Sequence, residues 1–231
     1  MKLRNYIYVK KEKFSRFLAL KFSRNRSFTA MQFVLKTLQA NKMLPEKLIA
    51  LELFGFIGTS VAMDYQHLAE YLELWELNPD YAKEAQKNIP MANVICGNSI
   101  KAIKEGQLKK KEYNFIVIDP NSNAFDDGSF ESFSVFEPAL KYLTNEAVIV
   151  VTIYNNLKNY FKIYNSEIDP NWISARKVFY KIDNVMDARG IDYLTSFENL
   201  IRKNNLKLEF SQFMSRNECV GFGIFVIKKN I

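Results

Sequence analysis

The sequence predicts a doubly wound α/β fold in which helices cover both faces of a seven-stranded, mostly parallel sheet. Three observations predict it. The chain of 231 residues is 48% hydrophobic, its short apolar runs alternate with amphipathic stretches, and two closely spaced strand patterns follow near the carboxyl end. Such alternation is typical of parallel sheets with right-handed crossovers. The length suits one sizeable domain with a small extension.

Five short apolar runs bounded by turn residues are predicted to be buried strands. They read LIALELF, YLELWEL, ANVIC, FIVID and AVIVVTIY. Asn78 is of a residue type that caps helices at their amino ends, and Pro79 is of a type that favours the first helical position. The helices predicted between the strands span residues 59–70, 79–88, 99–105 and 131–143. Residues 206–214 and 219–228 are predicted to close the sheet as an antiparallel hairpin.

Residues 1–45 are predicted to form a basic helical extension, and residues 46–231 the α/β domain. Ser27 is predicted to cap a helix that runs to Asn41. The apolar spacing of this helix directs five side chains inward: Phe28, Met31, Val34, Leu35 and Leu38.

The positive charge of the chain is concentrated in the extension. Residues 1–26 carry nine basic and one acidic side chains, whereas the other 205 residues carry 23 basic and 24 acidic ones. This asymmetry indicates contact with nucleic acid or with an anionic membrane surface. A solvated helix face explains it equally well. The side chains predicted to contact phosphates are Arg16, Lys21, Arg24 and Arg26.

The segment 155–205 is too long for a single crossover helix, and helices are predicted within it at 173–188 and 195–204. It follows the carboxyl end of the fifth strand, where open α/β sheets bind ligands. The segment is therefore a candidate for substrate recognition on that side of the sheet. A plain cover for the sheet is the alternative.

Several classes of protein are excluded by composition. Two cysteines and one histidine provide neither a disulfide framework nor a Cys/His metal cluster. The sequence has no apolar run of bilayer length and no secretory signal pattern at its amino end. We therefore expect a cytoplasmic protein.

Groups suited to a nucleoside follow four of the predicted strands. The first strand runs through Glu52 into a turn that contains Gly55 and Gly58, followed by Thr59 and Ser60. A glycine turn between a strand and a helix brings backbone N–H groups close to a ligand.

Acidic and amide side chains follow at the next strand ends. Glu76 ends the second strand about 20 residues after the glycine turn, where a carboxylate can accept hydrogen bonds from a ribose diol. Asn98 and Ser99 follow the third strand and can meet an adenine edge. Asp119 and Pro120 follow the fourth strand at the same edge of the sheet.

From Leu48 to about Tyr154, together with the terminal hairpin, the chain resembles class I (Rossmann-like) S-adenosylmethionine-dependent methyltransferases. The resemblance implies S-adenosylmethionine as cofactor. It places the methionine side of the cofactor on the loop from Glu52 to Ser60, and the ribose on Glu76. The cofactor-binding residues that it implies are Glu52, Phe54, Gly55, Gly58, Thr59, Ser60, Glu76, Leu77, Asn98 and Ser99. The residues implied to face the methyl acceptor are Asp119, Pro120 and Asn121.

The loop departs from the dense glycine pattern of this family. Phe54 and Phe56 stand at two positions where glycine is frequent. The spacing is similar to the E-x-G-x-F-x-G-x-S loop of catechol-type O-methyltransferases, which hold a metal with an Asp-Asn pair after the fifth strand. Thr152 and Ile153 occupy the matching positions here, so we predict no metal.

The sequence of residues 119–122 is similar to the (Asp/Asn)-Pro-Pro-aromatic motif of base amino-methyltransferases, and to the Asp-Pro-aromatic-Gly-Ser motif of tRNA guanine-N2 dimethyltransferases. Those tRNA enzymes also carry an Asn-Arg segment to which residues 24–27 are similar. The resemblance implies methyl transfer to a nucleic-acid base amine, in RNA more than in DNA. Asp119 and the Pro120 carbonyl would accept hydrogen bonds from that amine, so catalysis is mostly positioning. Phe125 or Tyr154 would stack on the base, although packing is the commoner role of such aromatics.

Three alternatives stay open. The first is a metal-independent methyltransferase acting on a small molecule or a protein. The second is a non-catalytic, methyltransferase-like binding subunit, because the glycine loop is altered. The third concerns the extension, whose Phe-rich basic helix is also of the kind that docks on a membrane surface.

Overall fold

A computed structural model describes residues 29–59, 61–120, 132–164 and 170–230. In these residues, seven strands form one sheet in the order β3-β2-β1-β4-β5-β7-β6. The strands are β1 Leu48–Leu53, β2 Ala69–Glu76, β3 Asn93–Cys96, β4 Tyr113–Ile118, β5 Leu143–Tyr154, β6 Leu206–Ser215 and β7 Val220–Lys229. The first five pair in parallel, whereas β7 is antiparallel to both β5 and β6. The predicted fold class is confirmed.

The helices of the described residues alternate with the strands. They are α1 Ala30–Ala40, α2 Ala62–Tyr65, α3 Pro79–Asn88, α4 Ser99–Glu105, α5 Phe133–Ala139, α6 Leu157–Tyr164, α7 Pro170–Tyr180 and α8 Gly190–Lys203. As predicted, α3 begins at Pro79, and Asn78 caps it by accepting hydrogen bonds from two backbone N–H groups. Across these ranges, no helix has the length and apolarity that a bilayer crossing requires.

Two predicted helices are shorter than the sequence pattern indicated. The described residues of 59–70 form α2 and a 3₁₀ turn, because Thr59 still belongs to the glycine turn and β2 already begins at Ala69. The described residues of 131–143 form α5, a second 3₁₀ turn and the start of β5. Pro138 lies near the end of α5, and its missing N–H weakens helix continuation.

The segment 155–205 also differs from its prediction. The helix predicted at 173–188 is α7, which begins at Pro170 and ends at Tyr180, and the one predicted at 195–204 is α8, which begins earlier, at Gly190. A third helix, α6, was not predicted. Its one asparagine, Asn159, and its aromatic residues have only moderate helix propensity, whereas packing of Leu157 and Phe161 in an aromatic cluster stabilises the helix in the fold.

Helix α1 is capped by Thr29 rather than by Ser27. The Thr29 hydroxyl accepts the Gln32 N–H, and the Gln32 side chain accepts the Thr29 N–H. This reciprocal pair satisfies two N–H groups that a helix end leaves without partners. The helix buries Met31, Val34, Leu35 and Leu38 against one face of the sheet, as its spacing predicted. Phe28 lies outside the described residues.

Each face of the sheet has its own apolar core. One face packs against α1, α2 and α3, and the opposite face packs against α4, α5 and α8. A buried carboxylate, Glu73, links β2 to β4 by accepting hydrogen bonds from the Tyr113 hydroxyl at 2.6 Å and the Trp75 indole at 2.7 Å. Both cores hold the strands in register, so the carboxyl ends of β1, β2 and β4 lie side by side.

Candidate active site

The candidate site lies at the carboxyl edge of the sheet, where β1 is flanked by β2 on one side and β4 on the other. The glycine turn leaves β1, Glu76 ends β2, and Asp119 follows β4. These are the strand ends at which open α/β sheets bind ligands. The structure therefore brings together the three groups that the sequence assigned to cofactor and acceptor.

The glycine turn has a backbone conformation that fits glycine better than the residues it holds. Phe54, Phe56 and Gly58 all have positive φ angles, of 68°, 50° and 76° respectively. A bulky side chain rarely adopts this left-handed region. At Gly55 the restriction is steric, since an added Cβ would lie 2.2 Å from a Leu74 methyl carbon. The turn keeps the path of a glycine-rich loop at two positions that carry phenylalanine.

Glu76 is bonded to the glycine turn. Its carboxylate accepts the Phe56 N–H and the Asn78 N–H, each at 2.8 Å. Only 8% of Glu76 is exposed, whereas 63% of the adjacent Leu77 is. A carboxylate oxygen has a further acceptor position beyond one hydrogen bond. The pair thus offers an acceptor for ribose hydroxyls beside an exposed apolar surface that suits the face of a purine.

The residues that follow β3 have local structural roles. The Asn98 side-chain oxygen accepts the Lys101 N–H and so caps α4. The part of the Asn98 side chain that could meet an adenine edge is therefore its amide NH₂. Ser99 is buried as the first residue of that helix. Thr59 is half-buried in the turn, and Ser60 lies outside the described residues.

Glu52 lies beneath the turn rather than at its surface. It is 1% exposed, and its carboxyl group accepts the Tyr65 hydroxyl at 2.5 Å. Burial raises the pKa of Glu52 to about 8; the hydrogen bond from Tyr65 opposes this shift, and the negative charge of Asp119 adds to it. Burial thus favours the neutral form of Glu52, and the bond from Tyr65 ties α2 to the end of β1 beneath the turn.

Asp119 is held by two other elements of the sheet. It is 5% exposed, and its Oδ1 accepts the Thr152 hydroxyl of β5 at 2.5 Å. Arg216 reaches it from the turn between β6 and β7, with Nη1 3.2 Å from Oδ2. The guanidinium also lies over the Phe222 ring, 5.5 Å from its centroid. A carboxylate held on two sides is fixed in position at the strand end.

Sequence reasoning did not identify Arg216. The only signal was a basic residue in the turn of the predicted hairpin, 97 residues from its partner. Thr152 was noted because it replaces a metal ligand, and the structure shows what it bonds to. Pro120 follows Asp119 as predicted, but Asn121 and Phe125 lie outside the described residues, as do the basic residues 1–26.

The segment that follows β5 has two parts. Helices α6 and α7 form a small aromatic cluster on Tyr154, around the buried guanidinium of Arg176, whose carbon lies 4.7 Å from the Trp172 ring centroid. Helix α8 packs on the main core through Tyr193, Phe197 and others. Tyr154 is buried among these rings, so it has the packing role and not the stacking one.

Comparison with known proteins bears on the fold. No protein-family model matches the sequence, and no curated protein matches it. Solved structures match over most of the chain. The plantazolicin methyltransferase BamL, solved in complex with a triazolic desmethylPZN analogue and S-adenosylhomocysteine, has a TM-score of 0.56 at 10% identity, covering 93% of this chain and 91% of its own.

Two further structures agree with this match. A TehB-like methyltransferase from Corynebacterium glutamicum has a TM-score of 0.52 at 13% identity, covering 96% of this chain and 99% of its own. The magnesium protoporphyrin IX methyltransferase of Synechocystis, with bound S-adenosylhomocysteine, has a TM-score of 0.52 at 10% identity, covering 87% and 82%. The chain has the class I methyltransferase fold. In that fold, the site described above lies at the edge of the sheet where ligands bind.

Proposed function

We propose that the chain is an S-adenosylmethionine-dependent methyltransferase whose acceptor is an amino group of a nucleic-acid base, in RNA more than in DNA. The observation that carries the proposal is the placement of Glu76 and Asp119. They stand at the ends of β2 and β4, on either side of the glycine turn. One carboxylate is then available to the cofactor and the other to the acceptor.

On the cofactor side, the residues present fit the nucleoside. Glu76 accepts hydrogen bonds from the ribose hydroxyls, the exposed Leu77 packs against the adenine, and the Asn98 amide donates to its edge. The turn from Gly55 to Gly58 presents its backbone to the methionine portion. S-adenosylmethionine supplies an electrophilic methyl group on a sulfonium centre.

On the acceptor side, the residues of the chain orient the acceptor amine. Thr152 and Arg216 fix the Asp119 carboxylate, which accepts an N–H of the exocyclic amine, and the Pro120 carbonyl accepts another. The nitrogen lone pair is thereby directed toward the cofactor side. Correct orientation of two reactants removes much of the entropic part of a reaction barrier.

The basic segment supports a nucleic-acid acceptor because of where it joins the domain. Thr29, the first described residue after it, donates its hydroxyl to Asp64 at 2.5 Å. Asp64 lies in α2, the helix that directly follows the glycine turn. Thr29, which follows the segment with a net charge of +8, is thus tied to the helix next to the glycine turn.

We expect binding to RNA to weaken steeply with salt, and this dependence to become shallower when Arg24 and Arg26 are changed to Ala. Each phosphate contact contributes about 1 to the slope of log affinity against log salt, so the double variant should lower the slope by ~2. Fluorescence anisotropy with bulk tRNA at several salt concentrations measures it.

The matched control changes Lys104 and Lys111 to Ala. Both are exposed, and they lie toward the opposite, amino edge of the sheet. This control should keep the wild-type slope. Equal slopes for all three proteins, or no detectable binding at low salt, would contradict the nucleic-acid part of the proposal.

A second candidate is a small-molecule or protein acceptor, and the Asp119–Arg216 pair favours it. The arginine neutralises the carboxylate, and its side chain is 32% exposed. Such a pair also suits an acceptor that carries its own negative charge. Methyl incorporation from labelled cofactor into RNA, or into a small-molecule fraction of a cell extract, separates the two candidates.

A further inference from the structure

The two phenylalanines of the glycine turn differ in where their side chains lie. Phe54 packs against the main core, on the face of the sheet that holds α4 and α5. Phe56 packs on the α3 side, and its ring lies edge-on to the Tyr81 ring with 4.7 Å between the centroids. Both residues have a left-handed backbone conformation. They therefore carry the same kind of backbone strain, but their side chains have different surroundings.

Phe56 is also the residue that closes the turn onto Glu76. Its N–H donates to the Glu76 carboxylate at 2.8 Å, and the residue is only 7% exposed. The neighbouring backbone is tied down as well, since the Gly55 N–H donates to the Trp75 carbonyl at 2.8 Å and the Asn88 side chain donates to the Ile57 carbonyl at 2.8 Å. These hydrogen bonds hold the turn in a closed arrangement against the end of β2 and α3.

This arrangement covers the group to which the proposed function assigns the ribose. Glu76 is 8% exposed, and the Phe56 backbone occupies one acceptor position of its carboxylate. From that bonded backbone the Phe56 side chain extends to the Tyr81 ring of α3. The closed arrangement therefore includes a side chain that the turn's backbone conformation does not favour.

We propose that Phe56 is a residue that sets the affinity of the cofactor site. This inference rests on the proposed function. With its ring packed on Tyr81, Phe56 holds the ribose end of the site closed, and a nucleoside binds when the ring leaves this position. Part of the binding free energy is spent on that displacement. Cofactor affinity is consequently lower than the same turn would give with glycine at residue 56.

The test is calorimetric titration of S-adenosylhomocysteine into wild type and into Phe56→Gly, Phe56→Ala and Phe54→Gly variants. Displacing a packed phenyl ring costs more than about 1.4 kcal/mol, and only wild type carries this cost when the ligand binds. Phe56→Gly and Phe56→Ala should therefore bind at least about tenfold more tightly than wild type. Phe54→Gly relieves the same left-handed backbone on the other face and should show no gain. The matched control thus separates ring displacement from backbone strain.

A second ligand locates the effect. 5′-Methylthioadenosine has the adenosine but not the amino-acid end of the cofactor, so it should show the same gain with both Phe56 variants. Thermal unfolding of each variant confirms that it is folded before titration. Phe56→Ala serves if Phe56→Gly fails to fold, since it keeps a Cβ and removes only the ring.

The outcomes separate this inference from the proposed function. Equal or weaker binding by folded Phe56 variants, with wild type binding normally, overturns the role of Phe56 and leaves the cofactor assignment in place. An equal gain in Phe54→Gly also overturns it. Absence of binding by wild type and by every variant overturns the proposed function itself, and the inference with it.

Discussion

Replacing Asp119 with Ala is expected to lower the rate of methyl transfer by ~10²-fold while leaving cofactor binding almost unchanged. Asp119 follows β4, on the far side of β1 from Glu76, so its removal does not touch the ribose acceptor. It does remove the group that orients the acceptor amine. Loss of an orienting contact typically costs ~10²-fold in rate. Labelled methyl transfer to tRNA and rRNA measures turnover, and calorimetry measures cofactor affinity.

Two further variants test whether the charge and the position of the Asp119 carboxylate cause the loss of turnover. Asp119→Asn keeps the shape and the bond from Thr152 but loses the ion pair with Arg216, so turnover should fall nearly as far. Asp64→Asn removes another carboxylate, one that is bonded to Thr29 and Gln32 rather than placed at a strand end. This control should stay within a few-fold of wild type. Unchanged turnover in Asp119→Ala would reject the assignment.

Replacing Glu52 with Gln should change how stability depends on pH. Burial raises the pKa of Glu52 to about 8 in the folded chain, against an ordinary value of 4.5 in the unfolded one. The folded state therefore binds the proton more tightly. The stability that this confers is complete below pH 4.5 and is lost as pH rises through 8.

Across that window the wild type should lose about 1.4 kcal/mol per pH unit from this group, ~5 kcal/mol in all. Glutamine does not ionise, and its side-chain oxygen still accepts the Tyr65 hydroxyl. The free energy of unfolding of Glu52→Gln, relative to wild type, should therefore increase between pH 5 and pH 8.5. Urea denaturation at the two pH values measures it.

The exposed Glu70 provides the control, since its only ion pair in the described residues is a surface one with Lys47. Glu70→Gln should follow the wild-type curve at both pH values, because an exposed carboxylate gains little from folding. If Glu52→Gln and wild type differ by the same amount at pH 5 and at pH 8.5, Glu52 does not ionise in this range.

The sheet was predictable from sequence because its signals are local. Four of the five parallel strands are largely buried, and each appears as a short apolar run between turn residues. Asn78 followed by Pro79 marks a helix start. The helix α6 was not predictable in this way. Its stability depends on packing against Tyr154, which lies in another element.

The candidate site was predictable to the extent that strand ends define it. Glu76 and Asp119 were found because residues at the ends of parallel strands share one edge of a sheet. Arg216 was not, because its contact with Asp119 depends on how the terminal hairpin pairs with β5. The left-handed backbone at Phe56 was also hidden, since residue type alone argues against it.

The measurement that tests the central claim most directly is calorimetric titration of S-adenosylmethionine and S-adenosylhomocysteine into wild type and Glu76→Ala. The Glu76 carboxylate would hold the ribose hydroxyls, and hydrogen bonds to a charged group contribute ~1.5–3 kcal/mol each. We therefore predict micromolar binding by wild type and a loss of about 100-fold in the variant. Glu84→Ala, an exposed change on α3, should bind as wild type does. Equal affinity of Glu76→Ala and wild type, or no binding by folded wild type, would contradict the account.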